Sequence, residues 1–245
     1  MEFIKEELDS IAFDANVLKI ENIDTGINFK NFEENYTEIY NPVYVYARIP
    51  IEQLHCIHYL EKNGFNYIET QFKMTKRLVK KEDLSLFNNE YELIPVTNKE
   101  DLPFIHSLSD EIMKADRVYQ DAEIDKNIAK KRYHLYINKS FNSKNENIFK
   151  TRFTPDDKII GFHTNMMVDS KNILFFIGGI LPEYRNSGAC FAHSYLIYNY
   201  LLDRGYKNIT THISAANYNI INLEMRTLGF KPKQTYVIMR KLYKQ

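Results

Sequence analysis

The turn from Arg185 to Cys190, RNSGAC, separates a strand-like from a helix-like segment, and its residue types point most directly to chemistry. A helix N-terminus leaves backbone N–H donors unpaired and carries roughly half a positive charge, so anions bind there. Gly188 lets the backbone come close to a ligand, and the side chains of Ser187 and Ala189 are small. Arg185 could pair with a phosphate through two hydrogen bonds. The turn therefore predicts a pyrophosphate site.

Two common pyrophosphate sites are excluded by the residues around this turn. A P-loop needs Gly-Lys-Ser/Thr at the start of the helix, and a dinucleotide fingerprint needs three glycines after an early strand; the sequence has neither. The preceding strand instead contains Gly178-Gly179 within an apolar run. Glycines inside a strand mark a bulge or a close backbone approach. We expect a bulge that parts this strand from its neighbour and frees backbone N–H and C=O groups for an extended ligand ending in a pyrophosphate.

These features together resemble the GNAT N-acetyltransferases, whose acetyl-CoA motif is Gln/Arg-x-x-Gly-x-Gly/Ala. Here Arg185-x-x-Gly188-x-Cys190 follows the glycine-bearing strand, and the later Asn217 and Leu228-Gly229-Phe230 keep the family's order over about residues 93–241. The resemblance implies an α/β (α+β) fold with a mixed central sheet flanked by helices, acetyl-CoA as co-substrate and no metal ion. The residues that it assigns to acetyl-CoA form the strand end beside the pantetheine arm, the pyrophosphate turn and the next strand end: Ile180, Leu181, Arg185, Asn186, Ser187, Gly188, Ala189, Cys190 and Asn217.

A closer resemblance is to the TDP-fucosamine acetyltransferase branch, in which a shortened GNAT-like half precedes the complete domain. The segments that carry it are, in order, FDANVLKI, ARIPIEQ, LEKNGFNYIET, DRVYQDAEI and AKKRYHLYINKSF. We expect a truncated GNAT-like domain over residues 1–90 and a complete GNAT domain over residues 91–245. Such enzymes acetylate the primary amine of a nucleotide-linked aminodeoxysugar. Two alternatives stay open: a peptide or polyamine N-acetyltransferase, and a non-catalytic acyl-CoA-binding module.

An internal repeat favours this two-part organisation. Identical residues recur at an offset of 165: Gly64 and Gly229, Phe65 and Phe230, Thr70 and Thr235, Met74 and Met239, and Lys76 and Lys241. Each copy follows a helical segment and precedes a strand. The pattern favours a degenerate duplication whose first copy lacks the glycine turn.

Acetyl transfer also needs an oxyanion donor and a group that protonates the leaving thiolate. A backbone N–H near Leu181 is expected to stabilise the oxyanion. The family often protonates the leaving thiolate from a tyrosine seven residues after the Asn, but counting from Asn217 gives Glu224. Counting back from Gly229 gives Met225, since this helix carries one extra residue, and Tyr218 lies in the wrong turn. The missing tyrosine keeps the non-catalytic alternative open.

Other reactive side chains have a structural and a chemical interpretation. Three residues of the same region are candidate general bases, although each also fits a surface turn or a sheet position: Glu183, His163 and His212. Cys190 could be a nucleophile at its helix N-terminus, but we favour a packing role. His55, Cys56 and His58 resemble a metal cluster, yet they fall in an amphipathic helix without further ligands, so we expect core and surface positions.

Composition argues against bulk attraction to nucleic acid or membranes, because the net charge is zero. Residues 1–40 carry ten acidic and three basic side chains, which could attract a cationic acceptor. Two distant cysteines give no disulfide or zinc pattern. With no leader-like or membrane-spanning apolar segment evident, we expect a cytoplasmic protein that acts on a small-molecule amine, with a homodimer as one expected assembly.

Hydrophobic periodicity predicts the elements that position the turn. YVYARIP reads as a strand, followed by a helix that stops at Asn63-Gly64. NENIFKTRF, DKIIGFHTNMMVD and NILFFIGGILP predict three successive strands before the turn. A long helix to Arg204, the strand NITTHISAA, a helix from about Asn219 and the strand TYVIMRKL follow.

Overall fold

The computed structural model describes residues 1–112 and 114–244, arranged around one ten-stranded mixed sheet. The strands are β1 (Glu2–Lys5), β2 (Val17–Glu21), β3 (Tyr44–Pro50), β4 (Asn66–Arg77), β5 (Tyr91–Pro95), β6 (Glu146–Phe153), β7 (Lys158–Met167), β8 (Asn172–Ile180), β9 (Asn208–Ser214) and β10 (Lys231–Leu242). Their order across the sheet is β1-β2-β3-β10-β4-β9-β8-β7-β6-β5. Pairs β2–β3 and β8–β9 are parallel, whereas β10 runs antiparallel to both β3 and β4.

Helices cover both faces of the sheet. They are α1 (Glu7–Phe13), α2 (Phe29–Tyr40), α3 (Leu54–Lys62), α4 (Leu102–Ile112), α5 (Arg117–Gln120), α6 (Lys126–Asn142), α7 (Ala189–Asp203) and α8 (Tyr218–Asn222), and α8 continues as a π-helical turn at Leu223–Thr227. Helices α2, α5 and α6 are capped at their N-termini by Asn28, Asp116 and Asp125, whose side chains accept hydrogen bonds from first-turn N–H groups. The flanked mixed sheet confirms the fold class expected from the sequence.

Each face of the sheet has its own apolar core, because successive side chains of a strand point to opposite faces. On the α7 face, helices α2, α3, α7 and α8 pack on residues such as Val45, Met239 and Ile209. On the α6 face, helices α1, α4 and α6 pack on residues such as Ile148 and Ile238. Burial of each such side chain contributes about 1.5–3 kcal/mol to folding.

When the chain is divided near residue 90, as the sequence predicts, the last strands of the two halves, β4 and β10, are exchanged, since each pairs with a strand of the other half. Strand β10 inserts between β3 and β4, and β4 instead pairs with β9. Strands β4 and β10 pair about the centre Gln71–Tyr236, whose two positions differ by the repeat offset of 165. The register slips at Ile68 in one strand and at Lys233 in the other, which again differ by that offset. A local two-fold symmetry of this kind is what duplicated units with exchanged strands would produce.

The exchanged strands end in reciprocal contacts. Lys76 Nζ donates to Leu228 O at 2.7 Å, and Lys241 Nζ donates to Asn63 O at 3.0 Å. Each lysine thus satisfies a helix-end carbonyl of the other chain half, one residue before the glycine of the repeat. The repeated lysine therefore has a structural reason in both copies.

Candidate functional site

Strands β8 and β9 part near the centre of the sheet. Within the described chain their parallel pairing ends at Phe175 and Thr211, although β8 runs on to Ile180 and β9 to Ser214. The carboxyl ends of both strands reach the same edge of the sheet, and the opening between them is called the gap. The separation that the glycine-bearing strand predicted is present.

A bulge in β8 lies beside the gap. The β7–β8 register shifts just before Gly178, so that Phe176 and Ile177 together oppose Thr164. The Thr164 hydroxyl bridges the break, since it donates to Ile177 O and accepts from the Ile177 N–H, both at 3.1 Å. The irregularity therefore precedes the glycine pair instead of lying on it.

The glycine pair itself permits close packing. A Cβ atom on Gly178 would lie 2.8 Å from His163 Nδ1 and 2.9 Å from Phe162 O. A Cβ atom on Gly179 would lie 2.9 Å from the Ile112 side chain of α4. Gly178 is therefore closed to larger residues by backbone and ring atoms, whereas a larger residue at Gly179 would require only the end of the Ile112 side chain to shift.

The backbone groups that face the gap differ from those expected. The Leu181 N–H donates to Ile160 O of β7 at 2.8 Å, and the Ile177 N–H also points towards β7. Because alternate residues direct their backbone groups to the same neighbour, Gly178 and Ile180 present theirs to the gap. The Leu181 N–H itself is therefore excluded as the oxyanion donor that was expected near this residue, because it is already used in the sheet.

The turn after β8 leaves backbone donors free, as its sequence predicted. Gly188 has φ 85°, a left-handed conformation that other residues adopt only with strain, and it stands at the N-cap of α7. Four N–H groups here have no acceptor among residues 1–112 and 114–244: those of Asn186, Gly188, Ala189 and Cys190. The Ser187 N–H differs, because it donates to Tyr184 O at 3.3 Å. The arrangement can hold an anion at the helix N-terminus.

Side chains of the turn pack against it without covering these donors. Arg185 is exposed, and its Nε donates to Ile180 O at 3.1 Å, which folds the guanidinium back along the end of β8. The Ser187 hydroxyl donates to Tyr184 O at 2.8 Å. Burial raises the pKa of the Cys190 thiol, against the opposing effect of the Arg185 guanidinium. Cys190 packs on the apolar group around Ala189, as we expected in place of a nucleophilic role.

Asn217 lies at the same sheet edge as the turn. It follows β9 by three residues and occupies the N-cap position of α8, where its side chain makes no capping hydrogen bond. The half-buried amide is therefore available to a ligand in the gap. The structure brings Asn217 to the edge where β8 ends at Ile180.

The three candidate bases occupy different surroundings. Glu183 is exposed and pairs with Lys158 at 3.2 Å; a backbone hydrogen bond and that lysine lower the pKa of its carboxyl. His163 is buried, and burial followed by His193 lowers the pKa of its imidazole well below the ordinary value. Burial, then Arg48 and Lys73, lowers the pKa of His212 to about 4. None of these groups is tuned to take a proton near neutral pH.

Glu224 has the surroundings of a proton donor. It lies in the π-helical turn that follows α8, and this turn absorbs the extra residue noticed in the sequence, since the Leu228 N–H donates to Leu223 O. Its Oε2 atom is buried and has no hydrogen-bond partner among the described residues. Burial raises the pKa of Glu224 to about 8, against the opposing effect of Lys76. The carboxyl therefore keeps its proton at neutral pH.

Tyr198 of α7 connects Glu224 to Phe175, the residue at which the two strands separate. The pKa of the Tyr198 hydroxyl is raised well above the ordinary value, by burial first and, where Glu224 is ionised, by the Glu224 carboxylate second. The Tyr198 ring is stacked at 6.4 Å on Phe175, the last residue of β8 paired with β9. The sequence count from Asn217 had reached Glu224, but no sequence pattern indicated a neutral acid there.

The histidine–cysteine group near residue 56 lies on α3. His55 and His58 are exposed, and Cys56 is buried in the core of the α7 face. These positions confirm the core and surface interpretation of that segment. In the part of the chain that the structure describes, no helix has the length and apolarity needed to span a membrane.

Comparisons with known proteins identify the architecture but not a close relative. No protein-family model and no curated protein matches the sequence. A crystal structure of a GCN5-related N-acetyltransferase from Sphaerobacter thermophilus matches 93% of this chain and 72% of its own, with TM-score 0.66 and 14% identity. The chain has the GNAT fold.

Two further structures share the GNAT fold over most of the chain. A GCN5-related N-acetyltransferase from Kribbella flavida matches 92% of this chain and 81% of its own, with TM-score 0.60 and 12% identity. A tandem GNAT protein from the clavulanic acid biosynthesis pathway, solved without AcCoA, matches 92% of this chain and 75% of its own, with TM-score 0.59 and 11% identity. Identities this low establish the fold alone.

Proposed function

We propose that this protein transfers an acetyl group from acetyl-CoA to the primary amine of a small molecule. The observation that carries the proposal is the gap between β8 and β9, which leads to a turn with free backbone donors at Gly188. An extended chain with amide groups fits along a half-paired strand, and its pyrophosphate fits the helix N-terminus. The GNAT fold is consistent with acyl transfer.

Residues of this chain would divide the binding of acetyl-CoA among them. Gly178 and Ile180 would bond the pantetheine arm through their backbone groups. The free N–H groups of residues 186 and 188–190 would hold the pyrophosphate, with Arg185 beside it and Asn217 on the opposite side of the gap. Leu181 would contribute its side chain only, because its N–H is bonded within the sheet.

Two groups would serve the chemical step. A gap-facing N–H of the bulged strand, from Gly178 or Ile180, would stabilise the oxyanion that forms when the amine attacks the thioester, an effect worth about 2.7–4 kcal/mol per well-placed donor. Glu224 would then protonate the departing thiolate, since its carboxyl is neutral at pH 7. Glu224 thus replaces the tyrosine that other members of the fold often use.

The remaining hypotheses differ in the amine, if any, that accepts the acetyl group. A nucleotide-linked aminodeoxysugar is the acceptor that the sequence resemblance suggests, in the cytoplasm and with a homodimer as one expected assembly. A peptide or polyamine acceptor and a non-catalytic acyl-CoA-binding role are the alternatives. An assay of thiol release with acetyl-CoA and each amine distinguishes them, because a binding module would bind acetyl-CoA and release no thiol.

The cofactor site is tested by Gly188→Glu, with Gly205→Glu as matched control. Gly205 stands beyond the opposite end of α7 and has φ 87°, close to the 85° of Gly188, so both substitutions impose similar backbone strain. Only the change at Gly188 adds bulk and negative charge among the free N–H groups. We expect calorimetry to show acetyl-CoA binding by wild type and Gly205→Glu, weakened at least about 100-fold in Gly188→Glu. If the wild-type protein did not bind acetyl-CoA, the proposed function would be contradicted.

A further inference from the structure

Polar side chains in three adjacent rows lie on four strands of the α6 face. Tyr236 of β10 lies opposite Gln71 of β4, which lies opposite Ser214 of β9. Directly opposed residues point to the same face, and Ile238, two positions from Tyr236, packs in the core of the α6 face. The neighbouring rows contribute Arg48 and Glu69 on one side, and Lys73 and His212 on the other. These seven residues, without Ile238, are called the acceptor groove.

Glu69 is the deepest charged residue of the acceptor groove. It is 4% exposed, and its Oε1 accepts a hydrogen bond from Gln71 Nε2 at 2.6 Å. Its Oε2 is buried without a hydrogen-bond partner in the described residues. A buried carboxyl oxygen without a donor is costly, so a ligand that donates to it would offset a real penalty.

Arg48 presents unused donors on the other side of Ile238. Its Nε and Nη2 atoms are buried and have no acceptor within residues 1–112 and 114–244. The guanidinium is held in place by the Tyr236 ring, 4.2 Å from its Cζ atom to the ring centroid. A cavity of about 510 Å³ opens beside Arg48 and Tyr236 on the side of β2, where Lys19 and Glu21 also line it. Two parallel N–H donors of this kind match a carboxylate or a phosphate.

The groove meets the gap at Ser214. This residue ends β9, the strand that has already parted from β8 at Thr211. Burial raises the pKa of the Glu69 carboxyl, against the opposing effect of the Ser214 hydroxyl. Arg48 and Glu69 flank the same residue of β10, so their Cα atoms lie about two strand spacings, roughly 9.5 Å, apart. A small molecule of about this length would span both groups.

We propose that the acceptor groove binds an amine that also carries an anionic group, with the amine at Glu69 and the anion at Arg48. This inference rests on the proposed function and names its substrate class. An α-amino acid and a phosphate-bearing aminosugar share this chemistry, whereas a polyamine does not. Lys73, beside His212 in the next row, adds to the positive charge that an anion would meet.

Glu69 then prepares the amine for transfer. The ammonium group gives one proton to the Glu69 carboxylate, and the neutral nitrogen attacks the thioester carbon to form the oxyanion. The carbon–sulfur bond breaks when the oxyanion collapses to the carbonyl. The thiolate takes the proton of Glu224, and the second proton lost by nitrogen restores it. The products are an amide, a thiol and one released proton, held first by Glu69. Glu69 and Arg48 are therefore residues that touch the acceptor.

The test compares Arg48→Gln and Glu69→Gln with Arg77→Gln, an exposed arginine at the end of β4. The amines are the α-amino acids, their carboxamides, a nucleoside-diphosphate aminodeoxysugar and spermidine. With an amine that carries an anion, Arg48→Gln should raise the acceptor KM about 10- to 100-fold and leave the acetyl-CoA KM unchanged. With a carboxamide of the same amine, Arg48→Gln should change KM less than about twofold. Arg77→Gln should behave as wild type throughout.

Thermal unfolding supplies a readout that does not depend on activity. Arg48→Gln and Glu69→Gln should keep or raise the Tm, because each removes an unsatisfied buried charge, whereas a structural role would lower it. The preferred anionic amine should raise the Tm of wild type but not of Arg48→Gln. Preference for spermidine, equal KM changes with acids and carboxamides, or no amine that shifts the Tm would overturn the inference. Failure of acetyl-CoA to bind would instead overturn the proposed function. In that case the Tm shifts with the amines would still test whether the acceptor groove binds them.

Discussion

Burial of the single carboxyl of Glu224 lowers the stability of the folded chain as pH rises. The carboxyl has an ordinary pKa of 4.5 and a pKa of about 8 in the folded chain. Between these values the unfolded chain ionises the group while the folded chain keeps it neutral, so the folded chain holds more protons. The free energy of unfolding must then fall as pH rises from about 4.5 to about 8. The same neutral carboxyl is what a departing thiolate needs.

We predict that Glu224→Gln lowers kcat about 10²-fold and raises the Tm at pH 8. Glutamine keeps the size of the side chain but neither ionises nor supplies a proton. In wild type, kcat should decline as pH rises through about 8, and this decline should be absent in the variant. Steady-state rates of thiol release and thermal unfolding between pH 6 and 9 measure both effects.

Glu38→Gln on the exposed side of α2 is the matched control for this change. It should alter neither kcat nor Tm measurably. If Glu224→Gln retained wild-type kcat, or if its Tm fell at pH 8, the assignment of Glu224 as the acid would be wrong.

At the scale of elements, a buried ion network joins the helices of the α6 face. Asp9 of α1 accepts hydrogen bonds from Arg117 of α5 at 2.9 Å and from Arg132 of α6 at 2.6 Å. Arg132 also donates to Asp116 at 2.9 Å. The Asp9 side chain is 1% exposed, so solvent cannot replace it. The contact spans more than a hundred residues of sequence and holds the N-terminal helix against the C-terminal half.

Asp9→Asn is expected to destabilise the protein by about 3–5 kcal/mol, because it leaves two buried guanidinium groups without their shared carboxylate. Urea unfolding followed by circular dichroism measures the change. Glu7→Gln on the same helix, at a largely exposed position, should change stability by less than about 0.5 kcal/mol. Equal stabilities of the two variants would show that the network contributes little.

At the scale of the whole molecule, the exchanged strands make the two chain halves interdependent. The division into residues 1–90 and 91–245 remains a prediction, with the exposed tract around Leu86 as its boundary. Strand β10 is buried between β3 and β4, through Val237, Ile238 and Met239 among others. Each half therefore completes its sheet with a strand of the other.

We expect the halves to stay together after the chain is cut between them. A protease site introduced at Leu86, which is 83% exposed, allows cleavage of the folded protein. The two fragments should elute as one species in size-exclusion chromatography and separate only in denaturant. An uncleaved sample of the same variant is the control. Separate elution without denaturant would show that the exchange does not hold the halves together.

Much of the C-terminal half could be predicted from its sequence, because strong local signals coincide there. Three apolar strands, a glycine turn and a long helix occur in order, and the structure places β6, β7, β8 and α7 on those segments. The elements of the first 43 residues were harder to predict from the sequence, since strands β1 and β2 are short and the helices are highly charged. The sequence repeat pointed to related halves, but pairing between strands leaves no periodicity that would reveal an exchange.

The sequence alone was enough to locate the turn at Gly188 with its free N–H groups, because helix polarity and a left-handed glycine are local properties of a few residues. It also determined the extra residue after Asn217 that places Glu224. The sequence does not contain three properties that the folded chain shows: the bonded N–H of Leu181, the burial of the Glu224 carboxyl and the position of Arg48 near Glu69. These properties depend on hydrogen-bond partners and burial supplied by strands far away in sequence.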